Sequence, residues 1–254
     1  MKASSRIVFR LATLLLAVVL CAECNWLLLA QIFRPVIDRL PTNAAAAAAL
    51  VSQRDAATRA ASVGAFRGEL WGEVAFTCAD LFFDKAPPSA AGPSRALQDC
   101  RQGVERALRQ APAQPGVWLL RAGLALRYPS LGFKAEEALK MSYYTGPSEQ
   151  DLVPLRLRIA ANSDAFHDVE TRQLMRRDLR LLVARHATAA IGQAYDAASP
   201  EVKRFIEQTV GDIDPSALDR LRNRAKHSQS IPAENGGPAS RHATGDGNEW
   251  PKNQ

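Results

Sequence analysis

Two runs of small, apolar and proline residues follow one another in the middle of the chain with the same steps of four, three and five residues. The first run is Cys100, Val104, Ala107 and Pro112, and the second, 35 residues later, is Ala135, Leu139, Ser142 and Pro147. Steps of four and three place the first three members of each run on one face of a helix. The proline ends that helix, because it has no N–H to donate and disfavours a helical conformation at the preceding residue. The pattern predicts helix–turn–helix units, and an ordinary helical bundle is the alternative.

Apolar stripes at helical spacing also fill the chain on both sides of these runs. One such stripe consists of Leu70, Val74, Cys78, Leu81 and Phe82. Further helices are predicted at residues 118–128, 135–144, 168–186, 200–210 and 215–224. The last two would be capped by Ser199 and Asp214, each followed by a proline at the first helical position. No stretch of useful length alternates between apolar and polar residues as a strand would. The predicted fold class is therefore all-α.

Trp118 lies six residues after Pro112, where the tetratricopeptide repeat has the large residue of the next unit's first helix. With this residue, the two runs resemble tetratricopeptide repeats. The resemblance implies a short array of helical hairpins over residues 70–225, whose units bind partners rather than catalyse reactions. The core residues of this array would be Val104, Ala107, Trp118, Ala135 and Leu139.

The N-terminus combines a basic flank with a long apolar run. Lys2, Arg6 and Arg10 precede an apolar run from residue 11 to residue 33, which is long enough to cross a bilayer. Trp26, near the far end of the run, suits a membrane interface. The run is either an uncleaved anchor or a cleaved signal peptide.

The sequence of this run disfavours cleavage. A signal peptidase needs small residues ahead of its cut, and neither residues 22–24 nor residues 28–30 supply them. An uncleaved transmembrane anchor over residues 11–33 is therefore predicted, although the carboxylate of Glu23 is costly inside a bilayer. The positive-inside rule then places residues 1–10 in the cytoplasm and everything after residue 33 outside. In a bacterial chain, this describes a single-pass inner-membrane protein with its bulk in the periplasm.

Two other segments lack the pattern of a packed core. In residues 34–69, Asn43 is placed to cap a helix that opens with six alanines. Alanine favours helix but buries little apolar surface, so residues 34–69 are predicted to form a helical stalk or spacer. Residues 226–254 are rich in serine, asparagine, glycine, proline and charge, and they are predicted to be a disordered tail.

Two cysteines lie symmetrically about a predicted loop at residues 85–93. Cys78 comes six residues before Asp84, the predicted end of one helix, and Cys100 comes six residues after Ser94, the predicted cap of the next. In an antiparallel helix pair, the two thiols would lie at about the same height. In an oxidising compartment they would form a disulfide, and two small core cysteines are the alternative.

The net charge of +6 gives little support to nucleic-acid binding. Three of the 32 Lys and Arg residues belong to the N-terminal flank, so 29 remain against 26 Asp and Glu residues. No nucleic-acid partner is predicted, since such a partner calls for a concentrated basic surface. The one basic cluster is either a solvated helix face or a stripe that binds polyanions or phosphate. It consists of Arg172, Arg176, Arg177 and Arg180.

The sequence offers no catalytic arrangement. Its four histidines include no pair at metal-ligand spacing, and it has no nucleophile elbow, phosphate-binding glycine loop or dinucleotide fingerprint. Asp164, His167 and Asp168 come together at a predicted helix start, where acidic residues suit the helix dipole. We therefore predict that the protein is not an enzyme and that it has no catalytic residue, metal or cofactor.

The segment Met141–Pro147, followed by the apolar run Leu152–Ile159, is the most distinctive local sequence. It resembles a segment of small bacterial envelope proteins that accompany exopolysaccharide or O-antigen polymerisation, which are also anchored and tetratricopeptide-like. The plainer interpretation is that Tyr143 and Tyr144 pack at a helix end, with Gly146 at the C-cap.

Two functions are predicted from these observations. The first is a membrane-anchored periplasmic helical scaffold that binds a protein partner in cell-surface polysaccharide assembly or export. The second is a periplasmic module in which the arginines from Arg156 to Arg180, on an arginine-rich helix face, bind an acidic glycan or lipid phosphate. The two differ in salt dependence, because an arginine–phosphate contact weakens as ionic strength rises and apolar binding does not.

Overall fold

A computed structural model describes residues 2–35, 37, 39–83 and 94–230 of the chain. These residues form α-helices joined by short turns, three of them 3₁₀ turns, and contain no strand, which confirms the all-α class. The first six helices are α1 (Lys2–Phe33), α2 (Ala44–Val51), α3 (Arg54–Val63), α4 (Gly68–Phe76), α5 (Ala79–Phe83) and α6 (Arg95–Gln110). The others are α7 (Pro115–Arg127), α8 (Ala135–Thr145), α9 (Val153–Ala161), α10 (Val169–Ala184), α11 (Thr188–Ala197), α12 (Pro200–Ile213) and α13 (Pro215–Ser230).

Several helices begin at the caps that the sequence predicts. The side chain of Asn43 accepts a hydrogen bond from the backbone N–H of Ala46, and Ser94 and Ser199 cap α6 and α12 in the same way. Each cap satisfies a backbone N–H that has no partner inside its helix. These contacts explain why the helix starts are readable from local sequence.

The N-terminal helix α1 is long and apolar enough to cross a membrane over Val8–Phe33. Its side chains are exposed from Val8 to Leu29, so the described part of the body does not cover this apolar surface. Ala30 is fully buried, with its Cβ against Gly64 at the end of α3. One side of the last turn of α1 therefore packs against the folded body.

The helices after α3 form a stack in which one row runs through the whole body. The row consists of α4, α7, α9, α11 and α13, each in contact with the next. The helices α6, α8 and α10 each pack against the row member that precedes them in the chain, and α12 packs against α10 and α13. The two sequence runs face inward on α6 and α8, which end two residues before Pro112 and Pro147.

Three of the five residues that were predicted for the core of the array are buried in the structure. Val104, Ala107 and Leu139 are fully buried. Trp118 and Ala135 are only partly buried, which corrects their assignment to the core. On α7 the inward positions belong instead to neighbouring aliphatic residues, and the indole of Trp118 lies over the preceding turn, where its Nε1 donates to the carbonyl oxygen of Pro112 at 2.7 Å.

The predicted stalk at residues 34–69 is instead part of the body. Its helix α2 packs against α5, and α3 packs against both α1 and α4. Leu40, Ala47 and Ala57 belong to the same buried core as the later helices. Small alanine side chains bury little area each, but they let helices approach closely.

Two other predicted boundaries also differ in the structure. The stripe from Leu70 to Phe82 is broken at Thr77 and Cys78 into α4 and α5. The last helix, α13, continues to Ser230, beyond the predicted start of the tail at residue 226. The predicted loop at 85–93 and the rest of the tail lie outside the described residues.

Candidate functional site

The structure brings the segment Met141–Pro147 together with the arginine cluster of α10. The segment forms the end of α8, and α9 and α10 pack beside it. Arg177 of α10 donates from Nη2 to the carbonyl oxygen of Pro147 at 3.2 Å. Two features that lie far apart in the sequence therefore belong to one region.

A buried arginine closes the C-terminal end of α8. Arg156 of α9 is 1% exposed, and its Nη2 donates to the carbonyl oxygens of Ser142 and Gly146, the second at 2.9 Å. Its Nε donates to Oγ of Ser142 at 3.1 Å. The last carbonyls of a helix have no partner inside it and carry its negative dipole end. Arg156 therefore supplies both the hydrogen bonds and the positive charge that this buried helix end requires.

A buried tyrosine and carboxylate complete the network around Arg156. The hydroxyl of Tyr143 donates to Oδ2 of Asp178 at 2.7 Å, and the Arg156 guanidinium lies 4.8 Å from the centroid of the Tyr143 ring. Burial raises the pKa of Asp178 to about 6, against the opposing effects of the Tyr143 hydrogen bond and the Arg156 and Arg177 charges. Burial likewise raises the pKa of Tyr143 and lowers that of Arg156. The network holds α8, α9 and α10 together and offers no group to a substrate. The buried Arg156 is therefore not available to an anion, which corrects its place among the predicted anion-binding arginines.

The outer face of α10 carries the predicted arginine cluster. Arg172, Arg176 and Arg180 follow one another at steps of four, with Arg177 beside them, and all but the half-buried Arg172 are exposed. The Arg176 guanidinium lies 5.2 Å from the centroid of the Phe205 ring. The Arg172 guanidinium lies 6.0 Å from the centroid of the Phe166 ring. None of the four forms a salt bridge with any residue that the structure describes. Their charges therefore remain open to an external anion.

An exposed tyrosine lies next to this face. Tyr144 is 54% exposed, and its hydroxyl donates to Oε1 of Glu170 in the first turn of α10 at 2.7 Å. Nearby, Lys140 pairs with Asp168 at 3.0 Å, and Asp168 caps α10. Tyr143 is buried and Gly146 is the C-cap, as the plainer interpretation predicts, but Tyr144 does not pack inside.

A disulfide joins the first two helices of the stack. Cys78, in the turn between α4 and α5, is bonded to Cys100 of α6, with 5.8 Å between their Cα atoms. Arg54 lies beside the bond, and its Nη2 donates to the carbonyl oxygen of Thr77 at 2.9 Å. A cleft of about 480 Å³ opens next to the bond, where the guanidinium of Arg106 lies 3.7 Å from the Trp71 ring centroid.

A second cleft, of about 400 Å³, lies between the segment after α1 and the helices α4 and α7. Leu40, Phe76 and Gly116 form part of its wall. Glu73, 3% exposed, is paired there with Arg34 of the segment after α1, and burial raises its pKa. The pair ties the end of α1 to α4.

Sequence reasoning missed the partners of Arg156 and the role of Asp178. The signal for Asp178 was present, because this residue falls on the apolar stripe of Met175, Leu179 and Leu182. A carboxylate on a core stripe needs a partner. The spacing within α10 could not show that the partner is Tyr143.

The described residues contain no group of three His, Cys, Asp or Glu side chains that could hold a metal ion. No family model matches the chain, and neither a curated protein nor a solved structure does. A function for the chain therefore has to be inferred from its own residues and their arrangement.

Proposed function

We propose that this protein is a single-pass protein of the bacterial inner membrane whose periplasmic body is a tetratricopeptide-like scaffold for a protein partner. The process that it would serve is the assembly or export of cell-surface polysaccharide. The observation that carries the proposal is an exposed apolar helix followed by a row of helices that each contact the next. Arrays of this kind present extended surfaces to partners.

The stack has several properties of a tetratricopeptide-like array. The pairs α7 with α8 and α9 with α10 are consecutive in the chain and packed together, and α4 packs against α6 with the short helix α5 between them in the chain. In the pairs α4 with α6 and α7 with α8, the second helix is followed by a proline at the same distance. The matching residues Ala107 and Ser142 are small and buried, which allows close helix packing.

The predicted orientation is supported by the basic flank and by the disulfide. Lys2, Arg6 and Arg10 lie on the N-terminal side of the apolar run, which favours a cytoplasmic N-terminus. A disulfide between Cys78 and Cys100 suits an oxidising compartment such as the periplasm.

Reporter fusions test the membrane topology. A reporter that is active only in the periplasm is fused after Arg224 in one strain and after Arg10 in another. The first fusion should be active and the second inactive, and the full chain should stay with membranes after a carbonate wash. A shorter protein released in soluble form would contradict the anchor.

Photo-crosslinking in living cells tests for a protein partner. A photoreactive phenylalanine replaces Tyr144, which is exposed beside α10, and in a control it replaces Thr58, which is exposed on α3. The proposal expects one defined adduct from position 144 and none from position 58. Equal labelling at both positions, or none at either, would contradict a partner on this surface.

The second candidate is a module that binds an acidic glycan or lipid phosphate. It is favoured by the open charges of Arg172, Arg176, Arg177 and Arg180 on α10. Binding of a phosphorylated lipid or an acidic polysaccharide should weaken with salt and be lost in the variant with R176A and R180A. Arg109→Ala is the matched control, because Arg109 is also exposed but pairs with Glu105. Binding that is insensitive to both salt and these substitutions would exclude this candidate.

A further inference from the structure

The turn between α3 and α4 exposes an aromatic side chain completely. Phe66 lies in this turn and is 99% exposed, the highest value among the large hydrophobic residues that the structure describes. The turn itself is well anchored on either side of it. The Nε1 of Trp71 donates to the carbonyl oxygen of Ala65 at 3.4 Å, and Arg67 pairs with Glu69 at 2.7 Å. This ordered turn therefore exposes a large apolar side chain that no residue described by the structure covers.

This turn lies against the last turns of α1. Gly64 faces Ala30, and the guanidinium nitrogens of Arg67 lie 3.1 Å from the side-chain oxygen of Gln31 in the amide orientation that satisfies both groups. About 20 residues of helix, roughly 30 Å, cross the hydrocarbon core of a bilayer. A span that begins at Leu11 therefore ends near Ala30. The turn is thus placed at the depth where α1 leaves the bilayer.

Contacts at both ends of the α3–α4 pair show which way its turn points. Arg54, at the start of α3, contacts Thr77, directly after α4, so the two helices are antiparallel. Gln31 lies beside Arg67, before the start of α4. Three residues further along, Arg34 donates from Nε to Glu73 within α4 at 2.7 Å. The contacts advance along both segments together, so α4 runs in the same direction as α1. The turn at residues 64–67 is therefore the end of the pair that faces back along α1, toward the exposed apolar part of that helix.

We propose that Phe66 inserts into the membrane interface beside α1 and so docks the folded body on the bilayer surface. The proposal rests on the anchor proposed above and adds a second contact with the same lipid leaflet. A phenylalanine ring buried at the boundary between head groups and acyl chains is favourable, and Arg67 beside it can reach lipid phosphates while its stem stays in the interface. With α1 as one contact and Phe66 as the other, the tilt of the body relative to the bilayer would be fixed.

A fluorescent label at position 66 tests the insertion. The full chain carries Phe66→Cys with Cys21→Ala and Cys24→Ala, and it keeps the Cys78–Cys100 disulfide. An environment-sensitive dye on the new thiol is measured in vesicles of phosphatidylethanolamine and phosphatidylglycerol that contain lipids with a nitroxide on the head group or on the acyl chain. The expected result is a blue-shifted emission that the shallow nitroxides quench. The matched control is Asp55→Cys, which is exposed at the opposite end of α3 and should be neither shifted nor quenched.

The same vesicles separate this proposal from the anchor. A third protein keeps Cys21 as its label site and has Cys24→Ala alone, so its dye reports on α1 itself. Quenching at Cys21 by acyl-chain nitroxides without quenching at position 66 would leave the anchor and overturn the docking of Phe66. A blue shift at position 66 without lipid quenching would also overturn it, because the ring would then be covered by protein. An unquenched dye at Cys21 would overturn both.

Discussion

Tyr143 of α8 donates its hydroxyl hydrogen to Oδ2 of Asp178 of α10 at 2.7 Å, and both side chains are at least 95% shielded from solvent. The two residues lie 35 positions apart in the chain. A carboxylate in this position is costly to ionise, because a single neutral donor replaces its shell of water. Ionisation of Asp178 therefore opposes folding near neutral pH.

The contribution of Asp178 to the stability of the protein should fall as the pH rises through the range in which this carboxyl titrates. The pKa of Asp178 is about 6 in the folded chain, against 3.8 for an ordinary aspartate. Between these values the Asp178 carboxyl binds more protons in the folded state than in the unfolded state, so its contribution decreases as pH rises from about 4 to about 6 and then levels. The full effect is on the order of 3 kcal/mol.

Urea denaturation at a series of pH values measures this slope. In Asp178→Asn the slope between pH 4 and 6 should be strongly reduced, because an amide can accept the Tyr143 hydrogen bond without charge. Asp55→Asn, at an exposed site on α3, serves as the control and should keep the slope. If D178N and the parent protein show the same pH dependence of the free energy of unfolding, Asp178 is not its cause.

Arg156 should tolerate no cationic substitute. Lys in place of Arg156 cannot bond Ser142 and Gly146 together while lying on the Tyr143 ring, so we expect a loss of about 3 kcal/mol or more in the free energy of unfolding. The matched variant is Arg158→Lys on the same helix. Arg158 only stacks on two phenylalanine rings, at 4.7 and 4.8 Å, so about 1 kcal/mol should be lost. Denaturant titrations measure the free energy of unfolding of both variants. Equal losses would show that the contacts of Arg156 with the end of α8 contribute little to stability.

The Cys78–Cys100 bond should be present in protein taken from its native compartment. Thiol blocking before reduction, followed by mass spectrometry, should find the two cysteines linked to each other. The bond closes a loop with a sequence separation of 22, so the double alanine variant should lose about 3 kcal/mol by the loop-entropy estimate. Free alkylation of both thiols in the unfolded, unreduced protein would exclude the bond.

Trp118 should contribute less to stability than the aliphatic residues beside it. Because Trp118 is half-buried over the turn at Pro112, Trp118→Ala should lose roughly 1–2 kcal/mol, less than the 3–5 kcal/mol typical of a fully buried aromatic. Leu124→Ala, which empties a fully buried site on α7, should lose about 2–5 kcal/mol. Thermal denaturation of the two variants shows which substitution destabilises the protein more. A greater loss for Trp118→Ala would show that Trp118 is a core residue after all.

Local sequence predicted those parts of the fold that depend on neighbouring residues. The caps Asn43, Ser94 and Ser199 need only the next turn of the chain, and the buried stripe with Val104 and Ala107 follows from helical spacing. The helix starts and the inward faces of α6 and α8 were therefore predictable.

The remaining features depend on contacts between segments that are distant in the chain. The alanines of α2 and α3 form no strong apolar stripe in the sequence. Their burial depends on contacts of α2 with α5 and of α3 with α1 and α4, which the sequence does not reveal. The same holds for the site. The arginine cluster was visible as a charge pattern, whereas the pairing of Tyr143 with Asp178 joins separate helices, and a periodicity within one helix carries no information about its neighbour.

The burial of Ala30 against α3 also limits the region in which the body can bind a partner. A body on a flexible linker can move through a large volume, whereas a body that packs directly against the end of its anchoring helix has almost no reach. In the proposed arrangement, a partner would have to present its surface within a thin layer above the lipid. Confinement of both molecules to such a layer raises their effective concentration, so even a weak contact would be populated there and lost once the body is cut away from its helix.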